Sequence, residues 1–250
     1  MKIAVCIKRV PDSEARIKIG ADGMSFDEAG VKFVLNPYDE FAVEEALKLR
    51  DAAGQGEVVA VSLGTDASQE TIRSALAMGA DRGVLLKVDR PIVDPAVAGG
   101  LLAAELAEGG YDLILAGKLA IDDATHAVGT IVAEKLGRPS VSAVAHLTVA
   151  NGSLTAEREI EGGTEVVTAP LPAVVTCDKG LNEPRYPALK GIMAAKKKPL
   201  EIKTVNVPEG GLRLVGLAPP PERPAGRILG EGPDAVPALI EALRTEAKVL

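Results

Sequence analysis

Short apolar runs rich in β-branched residues alternate with helical patterns through the first half of the chain. Four runs are apolar on both faces, at residues 3–7, 57–63, 83–88 and 112–117. Strands of this kind, separated by helices, are typical of a parallel sheet that helices cover on both sides. The pattern therefore predicts a doubly wound α/β fold with a mainly parallel sheet.

The stretches between these runs carry helix-start signals and helical periodicity. Asn36 is a good N-cap, and Pro37 fits the first helical position. Asp66 can cap a second helix. Further helices are expected over residues 96–107 and 126–136.

From about Val141 the pattern changes to consecutive extended segments. They cover residues 142–149, 153–160, 165–169 and 173–177. We expect them to be antiparallel additions to the same sheet, and the pair Asn151-Gly152 signals a tight turn.

Past Pro199 the density of apolar residues falls. The stretch APPPERPAG at 218–226 predicts an extended linker, and Val236, Leu239 and Ile240 begin an amphipathic terminal helix. We divide the chain into an α/β domain at 1–204, which includes a loop at 181–199, and an extended C-terminal arm at 205–250 that ends in a helix. That helix either packs on its own domain or contacts another chain.

Composition excludes several classes of function. The chain carries a net charge of −7, has no tryptophan and has few other aromatic residues, so nucleic acid is not expected as a partner. No apolar stretch reaches the ~18 residues of a membrane span, and no targeting segment is seen. Cys6 and Cys177 each lie in an apolar run and are expected to be buried free thiols. We expect a cytoplasmic protein of bacterial type.

The carboxyl ends of parallel strands are where ligands bind in open α/β sheets. Gly117 leaves the fourth strand there, and the loop that follows carries Asp122 and Asp123. Thr125 can cap the next helix, whose free N–H groups suit a phosphate. The adjacent carboxylates must then point to a ribose hydroxyl, a backbone N–H or solvent. An ordinary strand-to-helix loop is the alternative.

Catalytic signatures are missing from the sequence. It has no phosphate-binding G-x-x-x-x-G-K-[ST], no G-x-G-x-x-G and no G-x-S-x-G. His126 and His146 have no Cys or His neighbours at metal-ligand spacing. We therefore expect neither a metal site nor catalytic side chains.

The stretch LNEPRYPALKGIMAAKKKPL at 181–200 has unusual features. Pro184 and Pro187 favour an extended loop that holds Tyr186 and Leu189 outward, and GIMAAKKK favours a short helix that Pro199 stops. The lysines are either a solvated helix end or the charged rim of a docking element.

With these residues, the sequence resembles the electron transfer flavoprotein β-subunit family. The resemblance runs nearly the whole length of the chain, through KRVPD, NPYDEFAVEEALKL, LAGKLAIDD, AEREIEGGTEVVTAPLPAVVT, the 181–200 stretch and PPPERPAG. The resemblance implies a Rossmann-like, adenine-nucleotide-binding fold.

The resemblance also implies an electron-carrier heterodimer with an electron transfer flavoprotein α subunit. FAD, held mainly by the α subunit, would shuttle electrons from acyl-CoA dehydrogenases and related flavoprotein dehydrogenases to a quinone oxidoreductase. This chain would bind a structural AMP and would have no catalytic residues of its own, since the redox chemistry is that of the cofactor.

The family's nucleotide contacts carry over to strand ends and helix starts. They fall on Cys6, Asn36, Pro37, Tyr38, Asp39, Leu63, Gly117, Ala120, Ile121, Asp122, Asp123, Ala124, Thr125, His126, Ala127 and Val128. The dehydrogenase-docking loop carries over to 181–199, with Tyr186, Ile192 and Met193 around an anchor at Leu189 and with the lysines in its charged rim.

Some residues depart from the family pattern. Ser13 stands where several relatives place a tyrosine near the flavin, which leaves Tyr38 as a candidate flavin neighbour. Two alternatives stay open. An electron-bifurcating member would hold a second FAD in place of AMP, and a stand-alone adenine-nucleotide-binding protein would have no redox role.

Overall fold

A computed structural model of the protein describes residues 1–222 and 225–250. Arg223 and Pro224, in the middle of the expected linker, lie outside the described residues. The chain divides into two units, Met1–Gly216 and Leu217–Leu250. The division at residue 204, and the role of the following segment as an arm that contacts a partner, stay predictions.

The first unit contains eleven strands and five helices, and a sixth helix lies in the second unit. The strands are β1 (Lys2–Ile7), β2 (Arg9–Pro11), β3 (Phe33–Leu35), β4 (Glu57–Gly64), β5 (Arg82–Lys87), β6 (Leu113–Gly117), β7 (Ser140–Ala150), β8 (Ser153–Ile160), β9 (Gly163–Pro170), β10 (Ala173–Cys177) and β11 (Leu200–Thr204). The helices are α1 (Pro37–Ala53), α2 (Ser68–Met78), α3 (Pro95–Glu108), α4 (Val128–Leu136), α5 (Leu189–Ala195) and α6 (Val236–Thr245).

The main sheet has nine strands in the order β11-β5-β4-β1-β6-β10-β7-β8-β9. Every pairing from β11 to β7 is parallel, and β8 and β9 are added antiparallel. The chain builds outward from β1 to β4 and β5, and then returns to place β6 on the other side of β1. The order therefore reverses between β1 and β6, which is the switch point where open α/β sheets bind ligands.

Helices cover both faces of the sheet, which confirms the doubly wound fold. On one face, α1 and α2 bury Leu47, Ile72 and Leu76 against the strands. On the other, α3 and α4 bury Leu106 and Val132. The four apolar runs correspond to the strands β1, β4, β5 and β6. Each of these strands is buried on both sides, which explains why its residues are apolar on both faces.

The late extended segments differ from the expectation in two ways. β10 is parallel to both of its neighbours and lies between β6 and β7. All five of its residues are buried, so the strand fits in the interior of the sheet and not at its edge. Further along, β11 pairs in parallel with β5 at the opposite edge, a strand for which no pattern in the sequence had been identified. The turn at Asn151-Gly152 is confirmed, with φ of 51° and 77°.

Three expected helix caps have other roles. α1 begins after Asn36 as predicted, but the Asn36 side chain does not cap it. α2 begins at Ser68, and Asp66 forms an ion pair with Lys87. α4 begins at Val128, and the Thr125 hydroxyl donates to Asp123. In each case the polar side chain interacts with a partner other than the free N–H groups of the helix start.

The second unit contains the expected terminal helix, α6, with Pro237 in its first turn. Val236, Leu239 and Ile240 are exposed along it, and Arg227 pairs with Glu246 over 2.7 Å. Among residues 1–222 and 225–250, no helix is long and apolar enough to cross a membrane.

Candidate functional site

The candidate site lies at the switch point, where β1 and β6 end side by side. Cys6 of β1 is the register partner of Ala116, and Cys177 of β10 is that of Gly117. Both thiols are buried, and burial raises the pKa of Cys6 to about 12. Cys6 therefore contributes a neutral, apolar side chain to the site.

Asp39, in the first turn of α1, ties these strand ends together. Its buried carboxylate accepts hydrogen bonds from the backbone N–H groups of Lys8, over 2.7 Å, and Gly117, over 3.0 Å. Burial raises the pKa of Asp39 to about 7, against the opposing effect of these hydrogen bonds. The carboxylate fixes the positions of both strand ends at a cost in desolvation.

Asn36 fixes the loop that follows β6. Its fully buried side chain donates to the carbonyl of Leu119 over 2.8 Å and accepts from the N–H of Ile121 over 3.2 Å. The residue that the sequence suggested as a helix cap therefore shapes residues 119–121.

Gly117 cannot carry a side chain without displacing its neighbours. A Cβ there would overlap the Asp39 carboxylate and the backbone and Cβ of Tyr38. The start of α1 thus lies directly against the end of β6. The segments 36–39 and 117–121 consequently pack together as one wall at the switch point, where open α/β sheets bind ligands in a crevice.

Lys8 pairs with both of the adjacent carboxylates of the loop. Its ammonium lies 2.9 Å from Asp122 and 2.7 Å from Asp123. Burial alone would lower the pKa of Lys8, but the hydrogen bonds to both carboxylates raise it overall. The Lys8 side chain therefore offsets part of the repulsion between the two carboxylates, and Asp123 also accepts the backbone N–H of Thr125 over 3.0 Å, as one of the expected alternatives had it. The position of Lys8 directly after β1 was the signal that could have identified it.

Residues 124–127 lead from this pair into α4. Ala124 and His126 have positive φ, at 49° and 55°. The N–H of Ile131 makes the first intrahelical bond, to Ala127. The N–H groups of residues 128–130 therefore have no partner within the helix. No acidic residue lies in the first turn of α4, and the structure describes all residues of this helix. Such a helix start suits an anion.

The other predicted site residues lie along the same edge of the sheet. Leu63 is half-buried near the end of β4. The Lys118 ammonium lies 5.3 Å from the centre of the Tyr38 ring and 2.8 Å from Asp178. Pro37 and Ala120 belong to the wall formed by 36–39 and 117–121. The structure thus brings all the predicted nucleotide-contact residues to one edge.

The predicted docking residues form a separate, exposed surface. Tyr186 is 97% exposed, Leu189 77% and Met193 60%, and Ile192 is also exposed. At the base of this loop, Arg185 forms an ion pair with Glu44 over 2.8 Å. These large apolar side chains face solvent on an anchored loop, an arrangement typical of protein interaction sites.

Among the residues that the structure describes, no group of three or more His, Cys, Asp or Glu side chains could hold a metal ion.

The fold and its crevice define a doubly wound α/β protein with a candidate ligand site at the switch point of its sheet. The family model described as "Electron transfer flavoprotein domain" matches residues 23–208. The chain belongs to the electron transfer flavoprotein family, which confirms the resemblance found in the sequence.

Its relatives match over nearly their whole length. A Syntrophomonas wolfei protein named electron transfer flavoprotein subunit beta is 40% identical, covering 100% of this chain and 98% of its own. The Bacillus subtilis protein of the same name is 36% identical, with 100% of both chains covered. The human one is 39% identical over 96% of this chain and 97% of its own.

Proposed function

We propose that this chain is the β subunit of a heterodimeric electron transfer flavoprotein. The observation that carries the proposal is the full-length similarity to proteins named as that subunit, joined to a crevice built at the switch point. The α subunit is the partner, and it holds most of the FAD. The flavin supplies the redox chemistry, and this chain supplies binding and positioning.

The crevice is the proposed site of a structural AMP. Its residues fit such a ligand: the connection after β6 is held by Asn36 and Asp39, and the N-terminus of α4 offers free N–H groups. Backbone groups of 117–128 would bind the nucleotide, with Cys6 and Leu63 contributing apolar contacts. Lys8 pairs with Asp122 and Asp123, so its positive charge offsets one of their two negative charges near a phosphate.

The loop at 181–199 is the proposed docking element for acyl-CoA dehydrogenases and related flavoprotein dehydrogenases. Leu189 would enter a hydrophobic pocket on the dehydrogenase, because it is large, apolar and 77% exposed. Tyr186, Ile192 and Met193 would surround it. Electrons would then leave through the flavin to a quinone oxidoreductase.

The ligand content of the purified heterodimer tests this function. The chain is co-purified with an α subunit, the ligands are released by heat, and AMP and FAD are quantified by chromatography. We expect one AMP and one FAD per heterodimer. Two FAD and no AMP would indicate the electron-bifurcating alternative, and failure to bind an α subunit would indicate a stand-alone nucleotide-binding protein.

A variant tests the docking element separately. Leu189→Ala should sharply reduce electron transfer from an acyl-CoA dehydrogenase while the bound nucleotide and the heterodimer stay intact. The exposed Val166, on the edge strand β9, is a matched site for a control change to Ala. An unchanged transfer rate in Leu189→Ala would refute the docking role.

A further inference from the structure

Helices α2 and α5 pack against each other, and neither of these fully described helices has a basic residue within its last turn. The final carbonyl groups of a helix lack intrahelical partners and carry partial negative charge. Side-chain donors from elsewhere in the chain can therefore stabilise the carboxyl end of each helix.

Each helix receives its donor from the segment of the other. Arg73 of α2 donates from Nη1 to the carbonyl oxygens of Ala195, over 2.6 Å, and Lys198, over 2.7 Å. Lys198, three residues after α5, donates from Nζ to the carbonyl oxygens of Leu76, over 3.0 Å, and Ala80, over 2.6 Å. The two helices thus cap each other reciprocally.

α5 depends on this contact for its conformation. It has seven residues, and the described side chain of Ala188 offers no cap at its N-terminus. Isolated helices shorter than ~12–15 residues are marginal in water. Gly191 packs so closely on α2 that a Cβ would lie 2.6 Å from the carbonyl oxygen of Ala77. α2 therefore acts as the platform on which α5 is held.

The three consecutive lysines that follow α5 differ in their exposure to solvent. Lys196 and Lys197 are exposed, whereas Lys198 is partly buried and directed at α2. The expectation that all three form a charged rim is therefore wrong for Lys198. Its ammonium is engaged with carbonyl groups of the same chain.

We infer that Arg73 and Lys198 are positioning residues for dehydrogenase docking, because their reciprocal capping holds α5 so that Leu189, Ile192 and Met193 face outward together. The inference rests on the docking role proposed above. A preordered surface loses less conformational entropy when a partner binds. Loss of either cap should therefore weaken docking and leave the transfer step in the docked complex unchanged.

Steady-state kinetics of the intact heterodimer test the inference. An acyl-CoA dehydrogenase with its acyl-CoA substrate reduces the flavin, and KM and kcat for the heterodimer are measured. Lys198→Met and Arg73→Met should each raise KM at least fivefold, with kcat within twofold of the unmodified protein. Lys198→Arg should restore KM, since it keeps a cationic donor. Ser74→Ala, at an exposed position of α2, is the control.

Hydrogen exchange of the heterodimer gives a second test, which needs no dehydrogenase. In Lys198→Met, amides of residues 189–199 should exchange faster, whereas amides of the core strands should be unchanged. A rise in KM without faster exchange in this segment would refute the positioning role.

The outcomes separate the two proposals. If Leu189→Ala raises KM but Lys198→Met does not, the docking role stands and the positioning role fails. If Leu189→Ala has no effect, the docking role itself fails. Loss of flavin or a fall in kcat in Lys198→Met would show a general structural role instead.

If Lys198→Met does not fold, Gly191→Ala tests the contact between α5 and α2 with both caps present. An unchanged KM in Gly191→Ala would overturn the inference.

Discussion

The carboxylate of Asp39 accepts a hydrogen bond from the backbone N–H of Gly117 over 3.0 Å, although the two residues are 78 positions apart in the chain. The same carboxylate accepts from the N–H of Lys8. A single buried side chain thus joins the first turn of α1 to the ends of β1 and β6. The crevice is organised by this junction.

Asp39 should make stability depend on pH. Burial raises its pKa in the folded protein from 3.8 to about 7. Between these values the unfolded chain has lost the proton that the folded chain keeps, so the free energy of unfolding falls as pH rises. In Asp39→Asn this contribution disappears, and the free energy of unfolding should change less over the same pH window.

Urea unfolding of the heterodimer at a series of pH values measures the effect. Glu134→Gln, at an exposed carboxylate on α4, is the control. Parallel pH profiles for Asp39→Asn and the unmodified protein would contradict the prediction.

Lys8→Met should weaken nucleotide binding. The change leaves Asp122 and Asp123 adjacent and without their cation, so the loop before α4 loses its compensating charge. A loss of about 1 kcal/mol corresponds to about fivefold in affinity. Calorimetric titration of AMP into nucleotide-free heterodimer measures this change.

Lys32→Met is the matched control for Lys8→Met. The Lys32 side chain is 77% exposed and pairs with Asp12, and not with Asp122 or Asp123. Equal AMP affinities for the two variants would count against the role of Lys8.

Replacing two neighbouring glycines of α3 by alanine should change the stability of the protein in opposite directions. At Gly99 a Cβ would lie 2.5 Å from the Cγ2 of Ile131 on α4, whereas at Gly100 it would meet no described atom within 4 Å outside its own stretch of helix. Gly99→Ala should therefore destabilise the protein by about 1–3 kcal/mol through overpacking. Gly100→Ala should stabilise it by about 0.5–1 kcal/mol through helix propensity. Thermal unfolding compares them, and a stabilised Gly99→Ala would show that the α3–α4 contact is looser than the structure indicates.

Neither thiol should react in the native protein. Cys6 and Cys177 are buried and free, and burial raises the pKa of both. The thiolate is the reactive form, so alkylation at about pH 8 should be slow until the chain unfolds. Mass spectrometry of the native and urea-unfolded protein counts the labelled cysteines. Rapid labelling of the native chain would contradict the burial of these strand ends.

Local patterns determined much of the fold. The apolar runs of β1, β4, β5 and β6 are buried on both faces, so hydrophobicity alone marks them as central strands. Pro37 and Asn151-Gly152 act through their own backbone conformations, so the start of α1 and the turn between β7 and β8 could also be predicted.

The sequence also indicated the candidate site and the docking loop, in part through the resemblance to a family. Gly117 and the residues after it follow a strand, and the carboxyl ends of parallel strands meet at one edge. Pro184 and Pro187 restrict the backbone locally, and the loop between them does hold Tyr186 outward. The nucleotide contacts and the docking partner stay predictions.

Only the tertiary structure decided the position of β10 between β6 and β7, and the addition of β11 to β5. It also decided which partners Asn36, Lys8 and Lys198 take, since these contacts join residues 83, 114 and 118 positions apart. A polar side chain bonds to whichever group the fold brings within about 3 Å. Residue type and local spacing determine the helices and strands, but the partner of a side chain depends on which distant segments the sheet places beside it.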